Sequence, residues 1–330
     1  MNYIKSFSIS LQRNSLVRLI VKKVIPRKIR ISFQRYLNTD ISIRLFFKND
    51  IVLITYKDKA IQELVPVFYW DSVPNFGDVI GAYLVSRITG KQVLNVHSLQ
   101  HAGIMAVGSI LQMINRENMV VWGSGLIAEP TDEVIENLRK YKPKILSVRG
   151  SKTAKHLSEA GIAIPDQSVY GDPALILPLF YNPSVSSSKK VGVCPHYIHK
   201  SHFLKNIPNQ DGLKVIDVQK DMESVVDSIS SSTVCISTSL HGLIIAQAYG
   251  IPWVWLEVSD NNLTGDDFKF KDFFSTLDES QVSHFRIKME EVDSIDFLAI
   301  AANATLPNKL YNEELILESL KKHLHGTDIA

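Results

Sequence analysis

With 330 residues the chain is long enough for two domains, and 45% hydrophobic with 21% charged residues is a globular rather than a disordered composition. No apolar run reaches the ~18–20 residues of a membrane helix, and residues 16–20 are broken by Arg18, which argues against a secretory leader; a cytoplasmic protein is expected. The formal net charge is only +2, but residues 1–39 hold nine Lys or Arg and no acid, leaving 27 basic against 34 acidic side chains elsewhere.

Residues 1–50 therefore read as a basic N-terminal arm. Within it, residues 1–38 suggest one or two helices with Leu11, Val17, Leu19, Ile20, Val24 and Ile25 as apolar positions. Such a helix either lies on the anionic inner face of a membrane or packs on the fold as a solvated arm. Residues 51–55 are strand-like and open a first domain, 51–180. Strands at 64–70, 93–96, 102–107, 118–122 and 145–148 alternate with helices at 79–89, closed by Gly90, at 131–140, and at 151–160, stopped by Gly161. Residues 179–190 change composition abruptly and read as a linker. A second alternating set, 190–308, has strands at 191–194, 214–218, 233–237 and 253–256, with helices at 222–230, 240–249 and 266–277. A last helix, 312–325 within a C-terminal segment 309–330, is expected to pack across both halves. Alternation of this kind predicts two Rossmann-like domains with parallel sheets and a central cleft at the C-terminal ends of their strands, where open α/β sheets bind ligands. Cys194 and Cys235 lie in apolar runs and read as buried thiols.

Four strand-to-helix turns point at that cleft. In the first, running from Asn75 to Asp78, Gly77 permits close backbone approach and Asp78 is placed as the helix N-cap. Free N–H groups there suit an anion or a sugar hydroxyl. The second runs from Gly123 through Ser124 and Gly125 to Ala128 and matches a dinucleotide fingerprint. Glu129-Pro130 interrupts the helix that such a site needs, and no acid follows at the ribose-binding distance. It reads as a glycine turn with exposed backbone donors. The third places Arg149 after a strand and before a helix, where a guanidinium can grip a carboxylate or phosphate in two parallel hydrogen bonds, or form a structural salt bridge. The fourth puts His241 in the first turn of an apolar helix. An imidazolium is disfavoured there, which brings the ring into the range of an acid–base group. His196, His199 and His202 lack accompanying acids or cysteines, so no metal is expected.

These turns in order, with the Trp122-Gly-Ser-Gly125 segment, Ser147-Val-Arg149-Gly, Tyr170-Gly-Asp-Pro173 and Ser239-Leu-His241-Gly, resemble the polysaccharide pyruvyl transferase family over about residues 65–260. The resemblance implies a fold like the two-domain glycosyltransferases of the GT-B type. It also implies phosphoenolpyruvate as donor, a polymeric or lipid-linked saccharide as acceptor, and pyruvate installed as a cyclic ketal. No cofactor beyond that donor and no nucleic acid are called for. His241 matches the family's catalytic histidine and Arg149 a second anion-binding arginine. The arginine of the family's Arg-x-His motif is Ser239 here, and Lys152, Lys200 or His196 are the candidates for the missing charge. Asn75, Gly77, Asp78, Gly123, Ser124, Gly125, Lys152, His196 and Ser239 are the expected substrate contacts. A nucleotide-sugar glycosyltransferase of the same architecture is the second reading, and a non-catalytic scaffold of a polysaccharide assembly the third.

Overall fold

The structure, a computed structural model, describes residues 43–48, 51–56, 59–99, 101–183, 190–207 and 211–326. The expected helices of residues 1–38 lie outside these. The first domain contains β1 (Ile43–Lys48), β2 (Ile51–Tyr56), β3 (Lys59–Phe68), α1 (Phe76–Thr89), β4 (Gln92–Asn95), β5 (Ile104–Met105), β6 (Val120–Trp122), α2 (Asp132–Tyr141), β7 (Lys144–Ser147) and α3 (Ser151–Glu159). Its sheet runs β1-β2-β3-β5-β6-β7, with β4 also on β3. β1, β2 and β3 pair antiparallel in succession at one edge, and the remaining pairs are parallel. β1 falls inside the stretch 1–50 assigned to the basic arm, so residues 43–48 belong to the sheet. The strand was masked in the sequence by the basic residues around it.

The second domain contains β8 (Val191–Cys194), α4 (Lys200–Asn206), β9 (Leu213–Val215), α5 (Met222–Ser230), β10 (Val234–Ser237), α6 (Leu240–Ala248), β11 (Trp253–Val258), α7 (Phe268–Phe274), β12 (His284–Ile287), α8 (Phe297–Ala301) and α9 (Glu313–Gly326). Its five strands are all parallel in the order β12-β11-β10-β8-β9. Cys194 and Cys235 are free and buried on β8 and β10.

Local rules account for most boundaries. Thr131 caps α2 by accepting from the Val134 N–H, with Asp132 and Glu133 in its first turn and Arg139 and Lys140 in its last, as the helix dipole favours. α1 buries Phe76, Ile80 and Leu84, a stripe at helical spacing, and ends at Gly90 with φ 66°. α6 is apolar all round and accordingly buried along its whole length.

Two features fix how the domains meet. The 3-10 run Pro173–Leu179 is buried from Pro173 to Leu177, and one apolar cluster passes through it from Ile80 and Leu84 of α1 to Ile244 and Ile245 of α6. In addition, two late segments fold back onto the first domain. Phe268 of α7 enters the first domain's core cluster, and Ile316 of α9 accepts a 2.9 Å hydrogen bond from Trp122 Nε1. The last helix packs on β7 of the first domain and on the Pro173–Leu179 run. An extensive apolar junction of this kind opposes free domain motion.

Candidate active site

Each sheet has one point where the chain switches direction of travel, between β3 and β5 in the first and between β8 and β10 in the second. Such points leave a crevice beyond the strand ends. The turns that leave them carry Asn75 to Asp78, Gly108-Ser109, Pro195-His196 and Thr238 to His241. Two of these turns meet directly. The Phe76 N–H at the start of α1 donates to Val218 O of the second domain at 2.9 Å, and Phe76 packs edge-on against the His241 ring, centroids 6.3 Å apart.

His241 is the second residue of α6 and is 8% exposed. Its Nδ1 side lies against Gly77, so closely that a Cβ at residue 77 would overlap the imidazole. Nε2 is buried and meets no hydrogen-bonding partner among the described residues. Burial first, then the charges of Arg149 and Lys269, push the imidazole down to about 3, so it stays neutral through the physiological range. Gly77→Ala is therefore expected to displace the ring. A misplacement of about 1 Å can cost on the order of 10²-fold in rate, and steady-state kinetics beside a melting curve would separate this from a loss of fold. Full activity in Gly77→Ala would show that the ring position is unimportant.

Asn75, not Asp78, occupies the N-cap of α1. Asp78 stands in the first turn, where Asn75 Nδ2 donates to its Oδ2 at 3.2 Å. Protein walls surround the Asp78 carboxyl on most sides. This desolvation raises it to about 7, against the opposing effects of the Asn75 hydrogen bond and the Lys269 charge. His196 donates its backbone N–H to Thr238 Oγ1 at 2.8 Å. Burial, followed by the charges of Lys269, His199 and His241, pushes its ring down to about 2, so it adds no cation to the cleft. His199 is held by Thr238 Oγ1 at 2.9 Å and Asn261 O at 2.8 Å, which engages both ring nitrogens. Among the described residues no cluster of His, Cys, Asp or Glu has the form of a metal site.

Several sequence expectations are corrected here. Arg149 is 0% exposed and its donors are engaged by the protein. Nε donates to Asp272 Oδ2 at 2.9 Å, Nη1 to Ser109 Oγ at 2.6 Å and Nη2 to Leu126 O at 2.6 Å. Asp272 also accepts from the Thr153 N–H and Oγ1, at 2.8 and 2.7 Å, while Ser275 Oγ accepts from the Ser151 N–H at 2.9 Å. The helix start and guanidinium that were expected to hold a substrate anion are thus filled by the chain's own carboxylate. In the turn at Gly123, Ser124 and Gly125 most of the expected donors are engaged by the chain itself. The Gly123 N–H bonds Ser147 O, and both the Gly125 N–H and Ser124 Oγ bond Gly108 O. Gly125 is needed because a Cβ there would stand 2.5 Å from Arg149 Cζ. Lys200 is paired with Asp217 at 2.8 Å, and Lys152, half-buried on α3, is not among the cations that depress His241. Ser239 is buried at the start of α6, its N–H bonded to Ser237 Oγ at 3.0 Å.

The residue that the sequence reading missed is Lys269 of α7, 7% exposed, whose charge is felt by Asp78 of the first domain and by His196, His199 and His241 of the second. The structure therefore brings together His241, Gly77, Asn75, Asp78, His196 and Ser239, sets Arg149 beneath them, and adds Lys269.

Comparison with known proteins bears on this arrangement. No solved structure matches the chain significantly. The chain is 26% identical over 275 residues to the uncharacterized protein L143 of Acanthamoeba polyphaga mimivirus, covering 78% of this chain and 92% of that protein. It is 28% identical over 222 residues to the succinoglycan biosynthesis protein ExoV of Rhizobium meliloti (strain 1021), covering 64% of each. The family model for polysaccharide pyruvyl transferase matches residues 17–260, a span that takes in β3, α1, the turns of Gly123 and Arg149, and His241. Motif order, two facing Rossmann-like sheets and this match agree, and the chain belongs to the polysaccharide pyruvyl transferase family.

Proposed function

We propose that the protein transfers pyruvate from phosphoenolpyruvate to a sugar of an exopolysaccharide or capsular polysaccharide, or of its lipid-linked precursor, as a cyclic ketal. The observation that carries this reading is His241, a buried neutral imidazole with an unpartnered nitrogen at the meeting of both sheets' switch points. Buried polar groups are normally satisfied, so an orphan in a cleft between domains points to a reacting proton or a bound ligand. The succinoglycan biosynthesis protein among the relatives supports a polysaccharide acceptor, and two Rossmann-like domains support an architecture of the GT-B type, which sugar-transferring enzymes use.

The chemistry fits the two titrating groups. Asp78, raised to about 7, keeps a proton near neutrality, whereas His241, pushed down to about 3, is free to accept one. Environments that push two groups apart in this way divide the acid and base roles. In the proposed sequence Asp78 protonates the methylene carbon of the donor, and a sugar hydroxyl adds to C2 as His241 takes its proton. A second hydroxyl of the same sugar then attacks C2. The C2–O bond to phosphate breaks, inorganic phosphate leaves with that hydroxyl's proton, and the proton held by His241 returns to Asp78. The sum is one donor and two hydroxyls giving one ketal and one phosphate. The basic residues before Asp40 would hold the enzyme at an anionic membrane face, where a lipid-linked acceptor is assembled.

Acceptor-dependent phosphate release from phosphoenolpyruvate tests the reading. Release of nucleotide from a nucleotide sugar, with none of phosphate, would replace it with the glycosyltransferase reading.

A further inference from the structure

α7 carries two lysines in different circumstances. Lys271 lies in the exposed half of the helix and pairs with Asp267 at 2.5 Å. Lys269 is 7% exposed, its Nζ 5.6 Å from the Phe270 ring centroid, and among the described residues no carboxylate lies within ion-pair distance of it. An ammonium withdrawn from water without a counter-charge is costly and is seldom kept for packing alone.

The neighbouring charges do not offset it. Arg149 is itself a cation, and the nearby carboxylate of Asp272 is taken up by that guanidinium and by Thr153. Asp78 favours the Lys269 charge but, being raised to about 7, is ionised only in about half of the molecules near neutrality. His196 and His241 stay neutral. What remains among the described residues is a buried cation without an ion-pair partner and offset only in part by Asp78, close to the imidazole assigned to the reaction.

We propose that Lys269 holds the anionic group of the donor, the phosphate or the carboxylate of phosphoenolpyruvate, in the cleft. This rests on the pyruvyl-transfer reading above. It makes Lys269 a donor-binding residue and Arg149 a positioning residue that acts through Ser109 and the Asp272 contact.

The test is calorimetry and thermal melting on the full chain and its Lys269→Met variant, with Lys269→Arg as the charge-keeping control. Methionine retains the aliphatic stem, so without ligand Lys269→Met is expected to melt at or above the wild-type temperature. Phosphoenolpyruvate should raise the melting temperature of the wild type and of Lys269→Arg but not that of Lys269→Met. Its affinity for Lys269→Met should fall about ten- to a hundredfold, the usual effect of losing a charged hydrogen-bond partner. Inorganic phosphate and pyruvate, titrated separately, show which end of the donor the lysine holds, since only that probe weakens on Lys269→Met. If Met at 269 prevents folding, Lys269→Gln takes its place in every arm. Phosphoenolpyruvate bound equally tightly by wild type and variant would overturn the role of Lys269 and leave pyruvyl transfer standing. A wild type that binds none of the three probes would overturn both.

Discussion

Replacing His241 with glutamine is expected to lower turnover by about 10²–10⁴-fold, the usual contribution of a general acid–base group, while the melting temperature stays within a few degrees. The ring is buried, but nothing in the fold hangs from its nitrogens. Nε2 has no partner, and the contacts with Gly77 and Phe76 are made by the ring as a body. Glutamine keeps a comparable volume and cannot take up a proton. Turnover and KM for phosphoenolpyruvate should therefore part company, the first falling and the second changing little. The pH profile adds a second readout. His241 is neutral throughout the physiological range, so a limb in which the rate falls as pH rises through about 7 belongs to the deprotonation of Asp78. That limb should survive in His241→Gln and disappear in Asp78→Asn. A loss under tenfold in His241→Gln would remove His241 from the chemistry, and a collapse of the melting temperature would make it a packing residue.

The largest expected effect on stability is at Asp272. Asp272→Ala should destabilise the protein by about 3–5 kcal/mol, because removing one partner of a buried ion pair leaves the other charge uncompensated. Here the abandoned group is Arg149 at 0% exposure, and the same change uncaps α3 by taking the acceptor from the Thr153 N–H and hydroxyl. Urea denaturation measures the loss directly. The double variant Arg149→Met with Asp272→Leu should recover most of it, since apolar replacement of both partners relieves the desolvation cost. A loss below about 1 kcal/mol in Asp272→Ala would mean that the pair is not the interdomain tie described above.

How far the sequence disclosed this site can be judged residue by residue. His241 was legible because a β-rich run, small polar residues and an apolar helix succeed one another within a few positions. Asn75 to Asp78 was legible for a similar reason, although the cap proved to be Asn75. Arg149 was found but its partner was not. Asp272 lies 123 residues further along, in a helix whose Lys and Asp residues look like solvent-facing charges among phenylalanines. Lys269 was missed on the same account. It is buried where α7 lies between the domains, with Phe268 in the first domain's core cluster and Phe270 and Phe274 stacked on Trp255 and Trp253 of the second. The Gly123 turn misled because glycine records where a backbone must come close without saying what it comes close to, and here the neighbours are Pro173 and Arg149 rather than a ligand. β12 and α8 are short and carry too little apolar pattern to be seen locally.

The return of α7 and α9 to the first domain has a consequence for how the chain can be divided. A cut between residues 183 and 190 separates the two sheets but not the two folding units. The first half alone would lack the carboxylate that neutralises Arg149, the Ser275 hydroxyl that meets α3, and the Ile316 carbonyl that receives Trp122. During synthesis, too, the first half would have to wait for residues 268–316 before its own helix start and core tryptophan were satisfied, so the usual domain-by-domain order of folding does not apply cleanly. Chimeras between relatives must therefore match α9 to the N-terminal half, and match α7 both to that half and to the β11 tryptophans on which its phenylalanines stack.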